Sequence, residues 1–252
     1  MKADDIHLIS KKPIAHLEHY VESFWMVKHT ADTNKEIIVL PDGRFDIIFS
    51  YSIGNPITAV LRGLDTKPEQ ATINPNTIMF AVSFKLLAIE YLLGAKMASV
   101  LNNGQHLPKG FWNITSEDLG SFETCCEKIT VTLLSLLKPE IDKRKQKLFE
   151  LIYTSNGSLT VHELADHVGW SSRQINRYFT ERFGISLKSY CNILRFRASL
   201  QQIKEGRLFP EQHFADQTHF IKEIKKFSGV VPKELAKNSN DRFILLSGLS
   251  KT

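Results

Sequence analysis

The chain has 252 residues, 42% of them hydrophobic, and a formal net charge of +5 from 32 Lys plus Arg against 27 Asp plus Glu. That length suffices for two domains of ordinary size, and the apolar content suffices for packed cores. No apolar run reaches the roughly 18 residues of a membrane span, and the opening MKADDIHLISKKP has no apolar signal core. A cytoplasmic protein with no membrane partner is therefore expected. The three cysteines, Cys125, Cys126 and Cys191, are too few and too unevenly placed for a disulfide framework.

The first half alternates strand formers with turn signals. Phe24 to Val27 reads as a strand entering a core, and Ile37 to Leu40 as another. Pro41-Asp42-Gly43 is a turn signal, and Phe45 to Phe49 returns as a strand, so the pair reads as a hairpin or tight strand connection. Val60 to Leu64 and Thr77 to Phe84 continue the pattern, and Ala71 to Ile73 is a brief run inside a loop-like stretch. The expectation is about five to seven strands.

From Lys85 the period changes. Leu86, Leu87, Ile89, Leu92 and Leu93 suggest a helix closed by Gly94. A helix is expected from Thr115 or Ser116 through Leu137, with Leu119, Phe122, Cys126, Ile129, Leu133 and Leu136 forming one stripe, and Pro139 ends it. A second helix is expected from Ile141 to Tyr153, its start dense in Asp142, Lys143, Arg144, Lys145 and Lys147. The two together read as an antiparallel helical hairpin. Asn156-Gly157-Ser158 is the best domain joint.

Residues 159 to 198 carry the sharpest local signals. Thr160 and Glu163 have capping-box spacing, Leu164, Ala165 and Val168 share a face, and Gly169 closes a short helix. Ser171 and Gln174 repeat the cap, and Ile175, Tyr178 and Phe179 keep helical spacing. Helix, tight turn, helix is a helix-turn-helix pattern, whose second helix lies in the major groove. The early exposed positions of that helix are Ser172, Arg173, Asn176 and Arg177. Arg pairs bidentately with guanine and Asn with adenine. A helical hairpin whose polar face only meets water has the same spacing.

Charge sharpens the choice. Residues 1 to 150 carry 17 Lys plus Arg against 18 Asp plus Glu, while residues 151 to 252 carry 15 against 9. The positive excess falls on the segment with the capped short helices, and basic charge recruits phosphate without reading bases.

The run GWSSRQINRYFTERFGISLKSY followed by LRFRASL resembles the DNA-binding domain of AraC-type transcriptional regulators. The second stretch HFADQTHFIKEIKKFSGVVP is similar to the second half of that domain. The resemblance implies an all-α domain with two helix-turn-helix units joined by a long helix, here Leu187 to Lys204. It carries DNA contacts onto Ser172, Arg173, Asn176 and Arg177 in the first unit. In the second it carries them onto Thr218, His219 and Lys222, with Lys225 and Lys226 nearer the backbone. Asp216 is an N-cap, and Phe220, Ile224 and Phe227 should face inward. Of Arg195 and Arg197, one is free to lie on phosphate and the other is structural.

The chain departs from the pattern in three places. Leu187 replaces a usual proline, and His213 replaces the usual turn glycine. The segment from 201 to 212 is short and interrupted by Gly206 and Pro210, so the first helix of the second unit is expected to shrink to about a turn.

The first half also resembles an N-terminal domain found on a subset of these regulators, through Leu17, Tyr20, Phe24-Trp25 and the LPDG turn. The expected architecture is therefore an N-terminal α+β domain, for which a barrel-like form is open, over residues 1–138. A helical linker over 139–157 follows, then the DNA-binding domain over 158–252. His16 and His19 have no third ligand nearby, Asp42 is explained by its turn, and Cys125-Cys126 lacks metal-ligand spacing. No catalytic residue, metal or cofactor is expected. The partners are double-stranded DNA, with a small-molecule effector, a homodimer and RNA polymerase left open. A partner-binding protein with weakened DNA specificity and a nucleic-acid-associated enzyme are the alternatives.

Overall fold

A computed structural model describes residues 6–94, 97–138, 140–211 and 214–247. Pro139 and His213, both singled out above, lie outside the described residues, as does the tail beyond Ser247.

Eight strands build the first half: β1 (Ile6–Lys11), β2 (Val21–His29), β3 (Lys35–Val39), β4 (Phe45–Ser52), β5 (Thr58–Arg62), β6 (Glu69–Ile73), β7 (Thr77–Phe84) and β8 (Gly104–His106). Six form one antiparallel sheet in the order β1-β2-β7-β4-β5-β8, and β3 pairs β6 in a small second sheet. Alternation explains the layering, since successive side chains on a strand point to opposite faces. Phe45, Ile47 and Phe49 are buried on one face of β4, where Phe80 and Phe84 of β7 join them. On the other face Val27, Ile37 and Ile73 form a smaller core between the two sheets. None of the pairings among the described residues closes the sheets into a barrel.

Pro41-Asp42-Gly43 is a turn, but not that of a hairpin. β3 pairs β6, whereas β4 pairs β5 and β7 in the other sheet. The chain turns a corner between sheets here, with Gly43 at φ +73°. The run at Ala71 to Ile73 is a full strand because β3 supplies its partner.

The helical expectations need two further corrections. Helix α1 (Phe122–Leu136) begins later than expected, because Ser121 caps it through the amide of Thr124. Its stripe of Phe122, Cys126, Ile129 and Leu133 is buried against the sheet, while Leu136 is exposed. Helix α2 (Lys143–Thr154) does not form a hairpin with α1. It packs against α3 (Val161–Val168), and Phe149 lies among the rings of Tyr178, Phe179 and Phe183 on α4 (Ser172–Phe183).

The long helix α5 (Leu187–Lys204) joins the first helix-turn-helix unit to the second, which holds α6 (Gln217–Ser228) and α7 (Pro232–Lys237). The tail then packs back. Phe243 is fully buried, the Ile38 amide donates to the Arg242 carbonyl at 2.6 Å, and α8 (Ile244–Ser247) lies against β3 and α5. No helix among the described residues is long and apolar enough to cross a membrane.

Candidate nucleic-acid interface

The first unit is built by its caps. The Thr160 hydroxyl accepts from the Glu163 amide at 3.2 Å, and the Glu163 carboxylate accepts from the Thr160 amide at 2.7 Å. The reciprocal pair satisfies two otherwise orphaned helix-end groups. Gly169 then closes α3 at φ +67°, a conformation a side chain would strain. Ser171 and Gln174 repeat the box at the start of α4. Ile175, Phe179 and Phe183 are buried beneath.

That register leaves Arg173 and Arg177 exposed on α4, four residues apart and so on one face. Neither has an acidic partner among the described residues. Asn176 is half-buried, and its amide donates to the Ser172 carbonyl at 3.1 Å. Ser172 itself is half-buried at the first turn. The two guanidiniums are thus the available groups, and Asn176 must release a contact within its own helix to reach a base.

In the second unit the Asp216 carboxylate accepts from the His219 amide at 2.7 Å and caps α6. Phe220, Ile224 and Phe227 are buried as expected. Thr218, Lys222 and Lys225 are exposed. Lys226 is exposed too, but its ammonium sits 3.5 Å from Glu223 and over the Phe227 ring. His219 is half-buried, its Nδ1 accepts from the Ala215 amide at 3.2 Å, and its ring packs edge-on against Phe214. It closes the start of α6 more than it faces outward. No helix stands between α5 and α6 among the described residues.

Arg195 and Arg197 are both engaged inside the molecule. Arg195 donates to the Gly157 carbonyl at 3.3 Å and to Asn192. Arg197 donates to Glu22 on β2 at 3.3 Å. Gly157, read as a joint, is buried: a Cβ there would stand 2.6 Å from the Cys191 carbonyl oxygen on α5.

Sequence reasoning missed the contact between the halves. The Glu22 carboxylate accepts from Arg44, Arg197 and Lys12. Burial alone would raise this carboxyl, yet the cations hold it well below the usual carboxylate range. The buried Arg44 stacks 4.6 Å over the Tyr153 ring, and the Tyr190 hydroxyl of α5 donates to the Gly43 carbonyl at 2.9 Å. Beside this network opens a cavity of about 370 Å³, lined by Glu22, Arg44, Lys85, Tyr153 and Arg197 among others. Burial lowers the Lys85 ammonium from its usual value, and Glu22 opposes that shift. The signals were a charged residue inside the strand VESFWMV and an arginine directly after the turn; neither names its partner.

The cysteines are inert. All three are buried and free, and burial pushes the Cys125, Cys126 and Cys191 thiols up to about 12, 11 and 12.

Residues 10–108 match the family described as Domain of unknown function (DUF6597). No curated protein matches the chain. Among solved structures, it is similar to ToxT from Vibrio cholerae at 11% identity, over 92% of this chain and 97% of that one, with a TM-score of 0.46. An unsaturated fatty acid-bound ToxT aligns at 12% identity over 98% of this chain and 97% of that one, with a TM-score of 0.41. A Chromobacterium violaceum transcriptional regulator with an AraC-type DNA-binding domain aligns at 19% identity over 38% of this chain and 91% of that one, with a TM-score of 0.32.

Proposed function

We propose that this chain is a non-catalytic, sequence-specific DNA-binding regulator of transcription, of the AraC type. The observation that carries the reading is the pair of capped helices α4 and α6, joined through α5, each with cations on its outer face that have no acidic partner among the described residues. Phosphate contacts would position the chain, and Arg173 and Arg177 would read base edges. Residues 158–252 would bind DNA, 139–157 would connect, and residues 1–138 would respond to a small molecule or partner.

The cavity beside α5 is the place for such a small molecule. Its wall carries more cations than Glu22 offsets, so an anionic compound fits it. A ligand there touches β2 and α5 at once and changes DNA binding only to the extent that it favours one arrangement of the two.

A second reading has its own observation. Among the described residues no helix stands between α5 and α6, as would suit a partner-binding protein with weakened base reading. Sequencing the genomic fragments that the purified chain retains at about 150 mM salt, near physiological ionic strength, separates the two. A recurring motif supports specific regulation, and paired half-sites would add a homodimer. Uniform recovery by folded protein would favour the second reading.

A further inference from the structure

Phe209 stands apart from the other phenylalanines. Its side chain is 74% exposed, and every other phenylalanine among the described residues is buried or half-buried. Leaving so large an apolar group in water forgoes the free energy its burial would supply. Its backbone, moreover, is held from both sides. The Gln202 side-chain amide, on α5, donates to the Phe209 carbonyl at 2.6 Å. The Gln217 side-chain amide, in the first turn of α6, donates to the Leu208 carbonyl at 2.9 Å. The ring therefore projects from a segment pinned beside the start of α6.

That segment occupies the chain position where a helix-turn-helix unit places its first helix, the one that crosses the DNA backbone. Resting on the DNA-binding reading above, we propose that Phe209 is a DNA-contact residue. Its ring packs on the sugar and base edges at the rim of the groove entered by α6, in place of the contacts a first helix makes. The chemistry suits the site. The exposed Lys222 and Lys225 of α6 supply the phosphate attraction, and an uncharged ring adds apolar contact of the kind protruding phenylalanines make with duplex DNA.

The test uses the full chain, a duplex recovered by selection from random sequence, and a scrambled duplex of equal length. Phe209→Ala should bind the selected duplex about tenfold more weakly, with thermal stability unchanged. The slope of log affinity against log salt should also stay unchanged, since no charge is lost. Phe209→Trp should retain binding. A wild-type chain that discriminates the duplexes while Phe209→Ala binds within about twofold overturns this inference alone, and so does a tenfold loss accompanied by a changed salt slope. A wild-type chain that holds neither duplex overturns the DNA reading and this inference together.

Discussion

The seam between the halves and the outer faces of α4 and α6 are both rich in cations, but they use them in opposite ways. At the seam each guanidinium has a partner: Arg44 and Arg197 meet Glu22, and Arg182 meets Glu90 at 3.2 Å. On the outer faces Arg173, Arg177, Lys222 and Lys225 have no acidic partner among the described residues. The first set therefore acts on the fold, because Arg44, Glu22 and Glu90 are nearly buried and a buried charge must be paired to be tolerated. The second set costs little in the free protein and is available to phosphate. Being basic does not separate the two sets; having an internal counter-charge does.

The largest effect should come from breaking the seam. Glu22→Gln leaves buried Arg44 without its counter-charge and should cost about 3–5 kcal/mol of stability. Denaturant titration reads this directly, and an unchanged midpoint would dismiss the pairing as a determinant of the fold.

Next is a proton held behind that seam. Burial pushes the Asp46 carboxyl up to about 7, with Asp42 and Asp65 adding repulsion and Ser83 and Trp25 opposing the shift. One of its oxygens is buried with no hydrogen-bond partner among the described residues. Its folded value lies above the unfolded value of about 3.9, so the folded chain keeps a proton that the unfolded chain releases. The stability it contributes is full below about pH 4 and is lost as pH rises to about 7. Asp46→Asn should flatten the fall in melting temperature between about pH 5 and pH 7, a fall of up to about 3–5 °C per pH unit. Parallel profiles for wild type and variant would remove Asp46 as the source.

The outer face should answer differently. Arg173→Ala should lose about 1–3 kcal/mol of discrimination between selected and random duplexes without changing stability. Equal losses on both duplexes would make Arg173 a phosphate contact instead. Smallest is Lys225→Ala, which should weaken all duplexes alike and reduce the salt slope by about 0.9. A sequence-dependent loss would move Lys225 into the base-reading set.

The two regions also differ in how far sequence reveals them. Caps at Thr160, Ser171 and Asp216, and the glycine stop at Gly169, are local signals, and α3, α4 and α6 follow them. The limits of α5 came with the family resemblance, and the structure adds the cap, the Ser186 hydroxyl accepting from the Ser189 amide. Strand existence was largely readable too, but pairing was not. The turn at Pro41-Asp42-Gly43 reports only that the chain changes direction, and β6, the partner of β3, begins 26 residues after Gly43. The separation of α1 from α2 was hidden for the same reason, since both stripes are apolar and only the packing partner differs. The cavity joins positions 22, 44, 85, 153 and 197, which no periodicity links. Phe209 escaped notice because nothing in its neighbours marks a phenylalanine for exposure.

Helix α5 has 18 residues, hence a length of about 27 Å, and it is held to the corner at Gly43 by Tyr190 and to β2 by Arg197. In the proposed DNA-bound state this rod sets the spacing between α4 and α6. One base pair added between their two contact points would carry the second about 35° around the duplex axis, given 10–10.5 base pairs per turn. An operator for the proposed regulator would therefore be defined by the phase of the double helix as much as by its letters.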